Sequence, residues 1–261
     1  MALDRYYQAP FCVVGCVKEV VRVLISSISP SGDRAITVEF ENEINEEVNA
    51  EVYALQESLD CPGNGIVEMV PTFRSLLIFY DPKVTGYHRL TKVIRMNEPG
   101  RVSASEEKKK VLIVPCLYGG ESGEDLDGLT RELQLSESEI IRLHSETTYR
   151  IYMMGFLPGF VYLGGLNKKI WAPRLKTPRT LIPEGSVGIG GNQTGVYPIG
   201  SPGGWRLIGR TPLKFYDPNR KNAILCKAGE YIRFQPVSES EYIKIRADVE
   251  ADTWKTEYAE A

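Results

Sequence analysis

The chain has 261 residues, 43% of them hydrophobic and 25% charged, with a formal net charge of −3. This composition belongs to a soluble globular protein with room for two ordinary domains. It argues against a nucleic-acid surface, which needs a basic domain, and no run approaches the roughly 20 apolar residues of a membrane span.

The five cysteines, Cys12, Cys16, Cys61, Cys116 and Cys226, are scattered and odd in number. A secreted disulfide framework is denser and even, so a reducing, cytoplasmic setting is expected. Only Cys12 and Cys16 are close in sequence, with His88 and His144 far away, so no metal site is expected. The apolar run at 11–17, FCVVGCV, is closed by Lys18 and Glu19 and is short for a signal core. Residues 1–19 are read as an N-terminal extension.

Residues 20–28 are predicted as a strand, Pro30-Ser-Gly-Asp33 as a turn, and residues 34–40 as the returning strand. Ile44, Val48, Val52, Leu55 and Leu59 fall on one helical face, and Pro62-Gly63 ends that element. Two strands at 65–73 and 75–80 and a helix at 85–96 complete a compact α+β domain over 20–98. Residues 99–110 are polar and charged and read as a linker.

A second domain, predicted over 111–246, opens on an apolar strand at 111–117. Two short helices follow, the second starting at the capping-box pattern Ser136-x-x-Glu139 and ending near His144. A strand at 149–154 leads into residues 154–213, where prolines and glycines alternate with aromatic side chains. Short strands are predicted near 187–190, 195–198, 205–208, 223–226 and 230–236, with a closing strand at 242–246. Strands so short and so rich in corners predict an all-β barrel with short helices. Residues 247–261 are read as an acidic, frayed C-terminal tail.

Four features carry candidate chemistry. His144, near a helix C-terminus, is placed where the dipole favours a protonated ring, as a general acid or base or as a carbonyl cap. Arg174, Lys176 and Arg179 stand in the proline frame PRLKTPR, held together for a carboxylate or phosphate or simply solvated. The run GSVGIGGNQTG at 185–195, with Gly188, Gly190 and Gly191, would present N–H groups to an anion or turn tight barrel corners. Gln193 within it suits an amide. Phe156, Pro158, Phe160, Tyr162 and Tyr197 would wall an apolar pocket or fill the core. P-loop, dinucleotide, zincin and nucleophile-elbow motifs are missing from the sequence.

These residues also carry a resemblance. GFLPGF at 155–160, YLGG at 162–165, Pro173-Arg174, Thr177-Pro-Arg179, GSVG at 185–188, GNQTGVYP at 191–198 and SPGGW at 201–205 with IGRTP at 208–212 resemble the allophanate hydrolase subunit 1 family. The resemblance runs from about residue 20 to 246 and is strongest after 111. The Cys12/Cys16 extension is not part of it. It implies an N-terminal α/β domain, a cyclophilin-like barrel, and a place as the B subunit of an ATP-dependent 5-oxoprolinase. With subunits A and C such a complex opens 5-oxo-L-proline to L-glutamate, using ATP with Mg2+. The B chain alone is expected to be inactive. The alternative implied is a KipI-like inhibitor of a sporulation histidine kinase. A part of a urea carboxylase is disfavoured because no biotinyl or biotin-carboxylase segment is present. On this reading His144, Arg179 and Gln193 are the candidate catalytic set. Arg174, Lys176 and the backbone of Gly188, Gly190 and Gly191 are candidate substrate or phosphate ligands.

Overall fold

The computed structural model describes residues 25–98 and 110–260. The predicted extension, most of the linker and the start of the first predicted strand lie outside the described residues.

The N-terminal domain runs β1 (Ser27–Pro30), β2 (Ala35–Glu39), α1 (Glu46–Leu59), β3 (Ile66–Pro71), β4 (Ser75–Tyr80) and α2 (Tyr87–Met96). Its antiparallel sheet has the order β1-β2-β4-β3. Helix α1 starts at Asn45, whose side-chain oxygen accepts from Val48 N at 2.8 Å. Glu46 and Glu47 sit in its first turn, where the helix dipole favours negative charge. Val48, Val52, Leu55 and Leu59 form its buried stripe. With Leu90 and Ile94 of α2 they close over Ile36, Val38, Leu76 and Ile78 of the sheet.

The second domain comprises β5 (Lys110–Tyr118), α3 (Leu126–Leu133), α4 (Glu137–Ser145), β6 (Tyr149–Met154), β7 (Val161–Gly164), β8 (Arg179–Ile182), β9 (Ser186–Gly190), β10 (Gln193–Val196), β11 (Ser201–Gly203), β12 (Arg206–Arg210), β13 (Tyr231–Pro236), α5 (Glu239–Glu250) and β14 (Tyr258–Glu260). Its main sheet runs β12-β9-β10-β7-β6-β13-β5-β14. Strand β12 also pairs with β5 through Gly209–Tyr118 and Arg210–Leu117, which closes β12 to β5 into a barrel. β14 lies outside the ring, on the first residues of β5. Strands β5 and β13 are parallel, in register from Val111–Tyr231 to Cys116–Pro236. The barrel core includes Val114, Ile151, Val161, Leu163, Val187, Ile189, Ile208 and Phe234. Strands β8 and β11 make a separate two-stranded antiparallel sheet.

Three expectations at the C-terminal end are corrected. Residues 242–246 are not a closing strand but the middle of α5, with Tyr242, Ile245 and Val249 at helical spacing toward the barrel. Ser238 caps α5 in a complete capping box with Glu241, a stronger signal than Ser136, which only accepts from Glu139 N. The predicted tail at 247–261 is not frayed over its described residues, 247–260, because Tyr258, Ala259 and Glu260 add to the edge of β5. Residues 223–226 form no strand; Ile224 makes an isolated bridge with Tyr216.

Candidate functional site

The two domains meet at an aromatic face on the outside of the barrel. Phe73, in the turn between β3 and β4, reaches across to Tyr152 and Tyr162, with ring centroids 5.8 and 5.9 Å away. Tyr162 packs on Phe160 at 4.7 Å, and Phe160 meets Tyr197 at 5.0 Å and Trp205 at 5.5 Å. Most of these contacts are edge-to-face, the arrangement the ring quadrupoles favour. Phe160, Tyr197 and Trp205, with Ile182 and Leu207 and with Tyr162 packed against them, form a small apolar cluster distinct from the barrel core.

Glycines make room for this face. A Cβ on Gly190 would lie 2.5 Å from the Trp205 indole nitrogen, and one on Gly195 would lie 3.0 Å from its Cζ3. A Cβ on Gly164 would overlap the Tyr152 ring. The glycine run is therefore a floor for aromatic rings, which corrects its reading as an anion nest. Gly188 sits in a strand paired on both sides, with Gly195 and Leu207. Gly191 turns the β9–β10 hairpin at φ +72° and spends its N–H on Ala172 O at 2.8 Å. Gln193 begins β10 opposite Gly190 and is half-buried.

Arg174 holds its guanidinium 5.8 Å over the Trp205 ring. This is cation–π distance. Arg174 and Lys176 are exposed, and neither pairs with a carboxylate among the described residues. Burial pushes the Tyr162 phenol up, with Arg174 pulling the other way. Burial likewise lifts Tyr197 to about 12 against its hydrogen bond with the Trp205 backbone and the charge of Arg174. Both phenols are neutral donors at physiological pH.

Phe156 stands beside this face, 61% exposed, with its ring edge-on to Phe160 at 5.7 Å. Its φ of +68° is a left-handed conformation that a bulky residue adopts only under constraint. Pro158 is exposed on the same loop. The pocket-wall residues thus divide: Phe160 and Tyr197 are buried, Tyr162 is half-buried, and Phe156 and Pro158 face solvent.

Arg179 is not available to a substrate as predicted. Its Nη2 lies 2.9 Å from Asp125 Oδ1 and 3.4 Å from Glu124 Oε2. It braces the loop before α3 against β8.

His144 is the clearest correction. It has no solvent exposure, and burial lowers its pKa from 6.5 to about 3. Desolvation overrides the helix dipole, so the ring is neutral rather than protonated. Its hydrogen bonds fix the tautomer. Thr194 Oγ1 donates to Gly188 O at 3.0 Å, so it must accept from His144 Nε2 at 2.8 Å. Nδ1 then accepts from the Tyr118 hydroxyl at 2.7 Å. Both ring nitrogens are committed, and His144 pins α4 to the barrel instead of meeting a substrate.

Several residues of the region escaped the sequence reading. Asp125 and Glu124 are acids facing the proline-framed cations, and charge complementarity was the available signal. Phe73 and Asn49 lie in the other domain, and their approach to the barrel is a tertiary fact with no local mark. Among the described residues, no group of His, Cys, Asp and Glu is placed to hold a metal ion, and no helix is long and apolar enough to cross a membrane.

Residues 26–226 match the family model for the carboxyltransferase domain, subdomains C and D. The chain belongs to this family. Within this carboxyltransferase family it is similar to the 5-oxoprolinase B subunit of Bacillus subtilis strain 168, 41% identical over 226 residues, or 82% of this chain and 94% of that protein. It is 37% identical to the 5-oxoprolinase B subunit of Escherichia coli O157:H7 over 210 residues, covering 80% of this chain and 94% of the relative. The crystal structure of TTHA0988 superposes with a TM-score of 0.68 at 33% identity over 78% of this chain. This carboxyltransferase-family chain spans only 40% of that solved chain.

Proposed function

We propose that the chain is the B subunit of an ATP-dependent 5-oxoprolinase, working with subunits A and C to open 5-oxo-L-proline to L-glutamate. The observation that carries this reading is the match to two 5-oxoprolinase B subunits over 94% of their length. No observation favours the KipI-like alternative. A cytoplasmic location, a cyclophilin-like barrel type and inactivity of the isolated chain belong to the same proposal. The barrel type would bring no isomerase activity with it.

5-Oxoproline is a small lactam with one carboxylate. The aromatic face offers a matching surface: half-buried Tyr162 to pack the ring, and exposed Arg174, resting on the buried Trp205, to hold the carboxylate bidentately. Lys176 adds a second mobile positive charge at the rim. Gln193 is the candidate to orient the lactam amide. A lactam resists hydrolysis, and ATP, when bound to the complex, supplies the phosphoryl group that activates its carbonyl. The glycine run of this chain does not fit that nucleotide. Gly185 N donates to Tyr197 O at 2.8 Å and Gly191 N to Ala172 O, so these N–H groups are spent within the fold. We assign ATP and its Mg2+ to the partner subunits.

The test is co-expression with subunits A and C and an assay of ATP-dependent glutamate formation from 5-oxoproline. Activity that requires all three chains is the expected result. An intact complex with no such activity would overturn the proposal.

A further inference from the structure

One buried polar side chain at the domain junction has no part in the chemistry above. Asn49, on α1, has no solvent exposure. It divides its two N–H bonds among three carbonyls: Thr72 O at 3.1 Å, Phe73 O at 3.4 Å and Tyr152 O at 3.0 Å. The first two belong to the turn that carries Phe73, and the third to β6 of the barrel. Its Oδ1 accepts from Arg150 Nε at 3.0 Å, and Arg150 Nη1 donates on to the Tyr231 hydroxyl at 3.0 Å. Tyr53 adds a second tie across the junction, its hydroxyl donating to Tyr152 O at 3.1 Å.

We propose that Asn49 is a positioning residue: it locks the β3–β4 turn to β6 and so holds the Phe73 ring as a lid over the Tyr152–Tyr162 edge of the substrate face. The inference rests on the aromatic face being the substrate face. An amide is suited to this task because it donates and accepts at once, and the site uses both. A buried group of this kind has one satisfied arrangement, since any shift of the domains strands carbonyls without a partner. Phe73 is the element so placed. It touches both tyrosines, it comes from the other domain, and the carbonyl of Phe73 itself is one of the acceptors of Asn49.

Asn49→Asp is the discriminating change. It keeps the size and the acceptor for Arg150 but removes both donors to the three carbonyls. Phe73→Ala removes the lid and leaves the junction intact. In the reconstituted complex, both variants are expected to raise the KM for 5-oxoproline about tenfold with kcat within twofold. The double variant should be no worse than the more severe single one, because the two act through one ring. Proton NMR of the purified chain gives a second readout, independent of activity. Cross-peaks between the Phe73 and Tyr162 rings should be present in the parent and lost in Asn49→Asp. Retained cross-peaks with a parental KM would overturn the proposal, as would an Asn49→Asp effect that Phe73→Ala does not reproduce. A parent complex that shows no oxoprolinase activity would sink the substrate reading alone, and the ring contacts would still decide the lock.

Discussion

Arg179 is held by Asp125, and Asp125 is itself fastened to β12. Asp125 Oδ1 takes Arg179 Nη2 at 2.9 Å while its Oδ2 takes Leu207 N at 2.6 Å. Asp125 N in turn donates to Leu207 O at 2.9 Å. One carboxylate thus fastens the loop before α3, the strand beside Trp205 and the proline-framed arginine. The neighbouring Arg174 has no such anchor and rests on an indole.

The two arginines should therefore fail differently when removed. Arg179→Ala should cost stability, on the order of 1–3 kcal/mol for a charge-assisted bond with a half-buried partner left behind. Arg174→Ala should leave the urea midpoint almost unchanged and raise the KM of the reconstituted complex at least tenfold. Arg174→Lys should restore little, since lysine lacks the planar fork. Denaturation curves beside steady-state kinetics decide the matter, and equal stability losses for both would refute the division of labour.

His144 should make the fold sensitive to acid. Its folded pKa of about 3 lies below the ordinary 6.5, so between those values the unfolded chain takes up a proton that the native one refuses. Stability contributed by the neutral ring is present above pH 6.5 and is lost as pH falls toward 3. The full shift is worth on the order of 5 kcal/mol. His144→Gln keeps one donor and one acceptor without a titrating ring. Its urea midpoint should fall less steeply than the parent's between pH 6.5 and 4, with turnover at pH 7.5 preserved. A large loss of turnover in a folded variant would return His144 to the chemistry.

Gly190→Ala should disturb the site without touching a charge. The new methyl would press on the indole of Trp205, whose movement costs about 1–3 kcal/mol in a packed cluster. Tryptophan emission should shift to the red as the ring is lifted. An unshifted spectrum would mean that the floor has more give than its geometry allows.

On α5, Ser238→Ala should remove the side-chain half of the cap and leave the backbone N–H of residue 238 on the Glu241 carboxylate. The expected cost is about 1 kcal/mol by thermal or urea unfolding. An unchanged midpoint would show that packing of Tyr242 and Ile245 alone holds the helix.

Much of the fold was legible because its elements announce themselves locally. The α1 stripe from Val48 to Leu59, the turn at Pro30-Ser-Gly-Asp33 and the apolar start of β5 each follow from spacing or turn chemistry. The barrel was legible as a class from its crowd of corners. Residues 239–250 misled because Tyr242 to Arg246 alternates like a strand, and the capping box at Ser238 was overlooked. That the aromatic rings and Arg174 would gather in one region was legible, but the state of each side chain was not. Whether a histidine is sealed in or an arginine is already paired depends on partners such as Thr194 and Asp125, which lie far off in sequence. The glycine run reads in the sequence as an anion nest or as tight barrel corners, whereas Gly190 and Gly195 lie against an indole.

The parallel pairing of β5 with β13 sets an order of events during synthesis. Val111 needs Tyr231 beside it, and Lys110 needs Glu260, so the first barrel strand waits for residues made long after it. Every pairing of the N-terminal sheet, by contrast, is complete by Tyr80. The small domain can therefore form on the ribosome while the barrel segment is still being made, and the barrel closes only once β13 has emerged, with β14 added to its edge last. Until then the aromatic residues of 156–205 are uncovered and in need of protection, and Asn49 already stands on a folded helix, ready to receive β6.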